Sequence, residues 1–405
     1  MRLGEHVLLW GSLVLAAFWQ SGFARSRSAS GACDVRGPDT QGYLPELWLE
    51  LLYTQSERGL SLTELVSRAR DFEASDPRDK VFALLGLAND LGDAYNRAAG
   101  LLPNYTLRKE EVYANFTKDL ILMTGYLDIL SAVDTFASKR LDQRKTSWTP
   151  DLDVPIATVR GLGFPRKYAA SSSASVNLEA LSAVPNDPSS LTLSGFVVDV
   201  VKDVADNALS YSAQLKLYTS DFHHDDAVVA LWKEHVRHSQ YQCPEDELLQ
   251  RYIELLTAAG FALPTEFPAH PLGRIIPSRD VPSLTADFAA YWSLLDPGFL
   301  DFQDPVRTKL KAQASLGDAD QFGVLAGKAC HERKFFGTAQ GRMGLCPRGT
   351  QSGDRIVILH GGSVPYVLRE MDYGTWRFIG ECYVDGIMFG EAGKMEKEEK
   401  VYRIM

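Results

Sequence analysis

The C-terminal part of the sequence is divided into short apolar runs by turn residues, and this pattern limits the possible folds more than any other feature. Gly and Asp separate the runs, and Gly361-Gly362 and Tyr373-Gly374 stand where hairpins would turn. Such close spacing predicts a small antiparallel β barrel or meander. The predicted strands are Lys334–Phe336, Met343–Leu345, Asp354–Leu359, Val364–Leu368, Thr375–Ile379 and Tyr383–Val384.

One β-branched run, Leu191–Val201, stands far upstream of these strands and has no other β partner near it in the sequence. Because short strands need a further apolar face to close over, we predict that this run joins the C-terminal strands, with a bend at Gly195. Between them the helical period returns and predicts helices at Glu245–Ala259, ended by Gly260, and at Leu284–Leu295. These helices would form an insertion within the β domain.

The first 145 or so residues are predicted to be mainly helical. Pro45–Tyr53 is apolar on most sides, which indicates a buried helix, and Ser61-Leu62-Thr63-Glu64 is a capping box that begins another. Glu110–Thr124 carries apolar residues at a spacing of four, which predicts a third helix.

Composition changes near Trp148, where Pro and Gly become frequent. We therefore predict an α+β protein with a helical region at residues 1–145 and a small β domain formed by residues 146–205 and 320–392. A helical insertion would occupy residues 206–319, and residues 393–405 would form a charged tail. The alternating charges of Glu391–Lys400 predict a solvated helix or a frayed end there.

The segment Asp76–Leu87, with the sequence DPRDKVFALLGL, predicts one short amphipathic helix. Asp76 can accept hydrogen bonds from the first free N–H groups of the helix. Pro77 is tolerated at the first helical position, because a backbone N–H there would have no partner within the helix. Gly86 is placed to end the helix in a left-handed conformation. Arg78 lies between two carboxylates; it could bind an anionic ligand, but we interpret it as a tie to a neighbouring carboxylate or carbonyl.

This segment resembles the hallmark segment of fungal heterokaryon-incompatibility proteins. The further resembling segments, in the same order along the chain, are Asn104-Tyr105 followed by Glu111–Tyr113, then Ser147–Asp151, and then Gly380–Met388. The resemblance extends from about Gly4 to Glu391, in a part of the chain that normally follows an N-terminal effector domain. The motifs of the effector domain itself are absent from the sequence.

The resemblance implies a part in fungal nonself recognition and in programmed cell death after cell fusion. Without the effector domain, the chain would be a non-catalytic accessory or recognition region, or a truncated effector protein. It would act through contacts with a protein partner or through self-association.

Composition excludes some partners and indicates a compartment. The 405 residues carry a formal net charge of -10, with a pI near 5.4, so nonspecific nucleic-acid binding is not expected. The cysteines are odd in number, far apart and form no CxxC pair, which indicates free thiols in a reducing compartment. The predicted location is therefore cytoplasmic. The five cysteines of the sequence are Cys33, Cys243, Cys330, Cys346 and Cys382.

The N-terminus is open to two interpretations. Arg2 precedes the apolar run Val7–Phe18, which resembles a secretory signal, and sequons at Asn104 and Asn115 would fit secretion. The run is too short to span a bilayer, so no stable membrane span is expected. Family members carry a similar Gly-, Trp- and Ala-rich helix in the interior of their chains. We therefore predict a buried helix and a shortened form that begins at Met1.

Two groups of residues could carry chemistry, and each has a simpler explanation. The densest set of possible metal ligands is more typical of a solvated helix beside a polar loop, since no HExxH motif is present. It comprises His223, His224, Asp225, Asp226, His235, His238 and Cys243. Ser363 stands in a near match to a nucleophile elbow, with Pro365 in place of the last Gly, and is interpreted as a hairpin serine.

The remaining residues give no support to an enzyme. Glu381 and Asp385 are interpreted as polar groups of a turn and a strand end, and no phosphate-binding loop is present. We predict no catalytic residue, no metal ligand and no cofactor. The alternative is a secreted or lumenal hydrolase with a signal peptide, which would use Ser363 with an unassigned His.

Overall fold

The protein is represented by a computed structural model. It describes residues 2–3, 6–7, 61–71, 74–86, 88, 102–134, 146–154, 161–163, 168–172, 175–177, 189–206, 244–259, 281–295, 305–395 and 398–405. The helix predicted at Pro45–Tyr53, nearly all of the run Val7–Phe18, and the possible metal ligands from His223 to Cys243 lie outside these residues.

The helices are α1 (Leu62–Arg68), α2 (Asp79–Phe82), α3 (Lys109–Thr124), α4 (Glu245–Leu256), α5 (Val281–Leu295), α6 (Pro305–Ala314) and α7 (Ala319–Cys330). The strands are β1 (Arg2–Leu3), β2 (His6–Val7), β3 (Leu191–Val204), β4 (Arg333–Thr338), β5 (Met343–Pro347), β6 (Arg355–Leu359), β7 (Tyr366–Glu370), β8 (Thr375–Glu381), β9 (Tyr383–Val384) and β10 (Glu399–Ile404). None of the described helices is long and apolar enough to cross a membrane.

Strands β3 to β10 form one eight-stranded sheet in the order β10-β8-β7-β6-β3-β4-β5-β9. All its strand pairs are antiparallel except β8 with β10. Because β10 also pairs with β3, five of the strands are linked in a ring, while β4, β5 and β9 continue beyond it. The α+β class is therefore correct, but the sheet as a whole is not the closed barrel that was one of the predicted forms.

Strand β3 joins the C-terminal strands, as the sequence predicted. Its first half pairs with β10, its middle with β6 and its end with β4. Gly195 allows β3 and β6 to lie close together, because a Cβ at this position would be 2.2 Å from the carbonyl oxygen of Ile358. The pairing with β6 shifts in register between Val197 and Asp199, beyond the glycine where a bend was predicted.

The prediction of a solvated helix or frayed end at Glu391–Lys400 is wrong. A 3-10 turn covers Glu391–Lys394, and Glu399–Ile404 is strand β10. Side chains of β10 alternate between the protein core and solvent, since Tyr402 and Ile404 are fully buried whereas Val401 is 63% exposed. The charged residues before β10 hide this short alternation in the sequence.

The helices between β3 and β4 pack around α5, which lies against α4, α6 and α7. The aromatic rings of α5 pack together and against α7: the ring centroid of Phe288 lies 4.8 Å from that of Trp292 and 5.2 Å from that of Phe322. Helix α4 ends at Leu256, before the predicted Ala259, because Ala258 and Ala259 both have positive φ.

The N-terminal helices follow the sequence closely. Ser61 and Glu64 form the predicted capping box, with the Ser61 hydroxyl oxygen 3.2 Å from the backbone nitrogen of Glu64. Helix α3 covers the predicted residues and ends at Gly125, which is left-handed. Its buried face includes Val112, Phe116 and Leu120.

Candidate functional site

Residues 76–86 begin with a helical turn that Arg78 holds together. The Nε and Nη2 atoms of Arg78 lie 2.9 and 2.7 Å from the two carboxylate oxygens of Asp76. Its Nη1 atom donates to the carbonyls of Tyr105 and Leu107 at 2.5 and 2.9 Å. The side-chain hydrogen bond from Arg78 lowers the pKa of Asp76 to about 2. Arg78 therefore ties this turn to a carboxylate and to carbonyls, as predicted.

Two details of this segment differ from the prediction. Asp76 does cap the turn, since its Oδ1 accepts from the backbone nitrogen of Arg78 at 2.9 Å. The first hydrogen bonds nevertheless span three residues, such as Asp79 to Asp76, so the α-helix itself starts at Asp79. It ends at Phe82, and Gly86 has no positive φ, so this glycine is not a left-handed cap.

The first two resembling segments meet at this turn, and the third is joined to the chain just upstream of it. The Tyr105 hydroxyl donates to Asp79 at 2.5 Å, and the Tyr113 hydroxyl donates to the Pro77 carbonyl at 2.5 Å. Buried Arg70, just upstream, donates to the carbonyls of Asp151 and Val154, both at 2.8 Å. The polar residues of these motifs thus fasten separate stretches of chain to one another.

Ser147 connects the third resembling segment to the sheet. Its backbone nitrogen donates to the Met405 carbonyl at 2.8 Å, and its hydroxyl donates to the same oxygen. The hydroxyl also accepts from the backbone nitrogen of Phe378 at 2.9 Å. Ser147 therefore secures the residue that follows β10 against β8.

Glu381, in the fourth resembling segment, is a buried carboxylate at the end of β8. Its oxygens accept from the backbone nitrogens of Leu162 and Gly163 at 2.5 and 2.9 Å, and from Nη2 of Arg333 at 2.9 Å. The side chains of Glu381 and Arg333 are only 7% and 2% exposed. The predicted strand ended at Ile379, with Glu381 and Asp385 as polar groups of a turn and a strand end, whereas β8 extends to Glu381 itself. The core ion pair was not predicted.

Ser363 lies between β6 and β7, as expected for a hairpin serine. It is buried, and its hydroxyl donates to the Gly163 carbonyl at 2.9 Å rather than to an imidazole. His360, close to it in sequence, instead has its Nε2 atom 2.8 Å from a carboxylate oxygen of Glu399.

An open cleft of about 340 Å³ lies between α4 and the residues around and after β9. We call it the α4 cleft. Arg251 lies in it, with Nη1 at 2.9 Å from Asp385 and Nη2 at 2.8 Å from Glu247. The lining residues are Glu247, Gln250, Arg251, Glu254, Ala259, Tyr383, Asp385, Gly386, Met388, Phe389 and Glu391. Sequence reasoning identified Asp385 but missed its partner, because Arg251 is far away along the chain.

Metal and thiol chemistry have little basis in the described part of the chain. There, no group of three or more His, Cys, Asp or Glu side chains could hold a metal ion. Cys330, Cys346 and Cys382 are buried and form no disulfide, and burial raises the pKa of Cys346 to about 12. Thiols with such a high pKa are protonated and inert near neutral pH.

The comparisons with known proteins agree with the resemblance that these motifs carry. Residues 301–404 match the family model of the Het-6 beta-barrel domain. The matched stretch contains α6, α7 and strands β4 to β10, whereas β3 enters the sheet from outside it.

A relative confirms and extends this assignment. The chain is 24% identical over 375 residues to heterokaryon incompatibility protein 6, OR allele, of Neurospora crassa. The alignment covers 82% of this chain and 51% of that protein, so the chain spans about half the length of the curated relative it matches. The chain is therefore similar to the heterokaryon-incompatibility proteins, as its motifs indicated. No solved structure matches it.

Proposed function

We propose that this chain is a non-catalytic recognition region of a heterokaryon-incompatibility-type protein. It would act in fungal nonself recognition and cell death through contacts with a protein partner or with itself. The name of the Neurospora relative supports the process, and the geometry of the motifs supports the mode of action.

The observation that carries the proposal is the buried position of Glu381. A general acid or base must lie within hydrogen-bond reach of a substrate. Glu381 is 7% exposed, and its oxygens already accept from Arg333, Leu162 and Gly163. Arg78 and Ser147 are likewise engaged in contacts within the protein. We infer that these motif residues hold the recognition region in its folded shape rather than act on a substrate.

Among the residues that the structure describes, no specific contact favours the alternative of a secreted or lumenal hydrolase. That interpretation requires Ser363 to be activated by a base, whereas its hydroxyl donates to the Gly163 carbonyl. The buried thiols of Cys346 and Cys382, which form no disulfide, support the proposal that the protein works in the reducing cytoplasm.

Two measurements test the proposed function. Induced expression of the chain in a fungal strain should change the fraction of dying cells after fusion, measured by uptake of a vital dye. The Glu381→Gln variant should keep this effect wherever it is still folded, because the carboxylate has no catalytic part. Turnover of an ester or nucleotide by the purified chain, lost on a single polar substitution, would overturn the proposal.

A further inference from the structure

The α4 cleft carries more negative charge than its own cation can neutralise. Four carboxylates and one guanidinium line it, which leaves a formal charge of -3. Arg251 binds Glu247 and Asp385, and its hydrogen bonds to these two carboxylates raise the pKa of its guanidinium. The other two carboxylates, Glu254 and Glu391, have hydrogen bonds from neutral N–H groups.

The cleft also has an apolar wall that is open to solvent. Phe389 is 51% exposed, and its ring is held by Tyr168, with the two ring centroids 5.7 Å apart. Met388 and Tyr383 form the buried base of this wall. An exposed aromatic ring beside carboxylates is suited to a flat cation, which can stack on the ring and donate to the acids.

The volume of the α4 cleft limits the size of the ligand that it can bind. Its volume of about 340 Å³ is at the lower end for ligand pockets. An extended guanidinium side chain with a few neighbouring atoms would fill it. The negative charge excludes anionic ligands such as phosphates.

We propose that the α4 cleft binds an arginine side chain presented by a protein partner. This inference rests on the proposed function and names the chemistry of the partner. The guanidinium would donate to Glu254 and Glu391 and lie over Phe389, beside Arg251. Arg251 itself shows the arrangement, since its guanidinium already bridges two carboxylates of the same cleft.

Selection from a displayed peptide library tests the proposal with the purified full chain. One library has arginine fixed at its centre and random flanking residues, and a matched library has neutral citrulline at that position. The chain should enrich arginine peptides about tenfold or more over citrulline peptides, as expected for the loss of a charge-assisted contact. The enrichment should fall as salt is raised.

Two substitutions should change this enrichment in opposite directions. Glu254→Gln keeps the shape of the side chain but removes a charge, so binding should weaken several-fold. Arg251→Gln releases Glu247 and Asp385, so binding should become tighter. A loss of folding would weaken binding in both variants, and thermal melts identify it. Glu398→Gln is the matched control, because Glu398 is exposed and is not one of the residues that line the cleft.

Equal enrichment of arginine and citrulline peptides would overturn this inference. So would weaker binding in a folded Arg251→Gln variant, or a loss in Glu398→Gln equal to that in Glu254→Gln. These results would leave the proposed function standing if the effect on cell death persists. Substrate turnover by the chain would instead remove the proposed function.

Discussion

Replacing Glu381 with Ala should be among the most destabilising single substitutions in the sheet. Its carboxylate is the ion-pair partner of Arg333, whose side chain is 2% exposed, and it accepts from the backbone nitrogens of Leu162 and Gly163. The substitution therefore removes three hydrogen bonds at once from a place that water does not reach.

The expected loss of unfolding free energy for Glu381→Ala follows from these contacts. Removing one partner of a buried ion pair costs about 3–5 kcal/mol of unfolding free energy, and each buried N–H left without an acceptor costs about 1–3 kcal/mol. Since these terms overlap, we expect a total loss of about 3–5 kcal/mol for Glu381→Ala. Glu381→Gln keeps one acceptor oxygen and should lose about 1–3 kcal/mol.

Urea unfolding followed by circular dichroism measures these losses, and hydrogen exchange at Leu162 and Gly163 locates them. The double variant Arg333→Met with Glu381→Leu should lose less than the sum of the single variants, because an apolar pair can replace a buried ion pair. Glu370 is the matched control, since it also ends a strand but its side chain is 59% exposed. Glu370→Ala should stay within about 0.5 kcal/mol of the parent. A loss below about 1 kcal/mol for Glu381→Ala would refute the reasoning.

Three further predictions concern the turn, β3 and β10. The ion pair of Asp76 with Arg78 should stabilise the protein fully above the unfolded pKa of 3.8, and this stabilisation should be lost as the pH falls towards 2. The unfolding midpoints of the parent and of Asp76→Asn, measured from pH 6 to 2, should therefore become equal at acidic pH. Gly195→Ala should destabilise the protein by about 1–3 kcal/mol or more in urea unfolding, because the new Cβ would meet backbone atoms of β6. Tyr402→Ala should cost about 3–5 kcal/mol in the same assay, because its ring is fully buried.

Each of these predictions has a control or a result that would contradict it. A constant difference between the parent and Asp76→Asn across the whole pH range would show that the ion pair is not responsible. Gly86→Ala should be neutral or slightly stabilising, since a Cβ there meets nothing within 4 Å. Val401→Ala should change stability by less than about 0.5 kcal/mol, because Val401 is largely exposed. Equal effects of Val401→Ala and Tyr402→Ala would mean that β10 does not alternate as described.

The strands and helices could be predicted where their apolar period is strong. The β runs from Lys334 to Val384, the helix α3 and the joining of β3 to the C-terminal strands all follow from local pattern and from the need to cover apolar faces. Strand β10 was not predicted because its alternation of apolar and polar residues is short and follows a longer run of charged residues. The boundaries of the predicted domains remain a prediction.

The candidate site was less predictable because its contacts join distant parts of the chain. Glu381 stands between small and apolar residues in the sequence, and its burial depends on Arg333 and on the turn at Leu162-Gly163. The α4 cleft depends on the pairing of Arg251 with Asp385. The spacing of Glu247 and Arg251 by four residues was a local signal for their own ion pair, but not for the pair of Arg251 with Asp385.

The shared position of β3 has a consequence for biosynthesis. During synthesis, Leu191–Val204 is made well before β4, β6 and β10, so both edges of β3 stay open while α4 to α7 are being made. Such distant pairing slows folding, and an open β-branched strand can pair with other nascent chains. We expect the yield of folded protein to depend on chaperones that shield this strand until its partners are made.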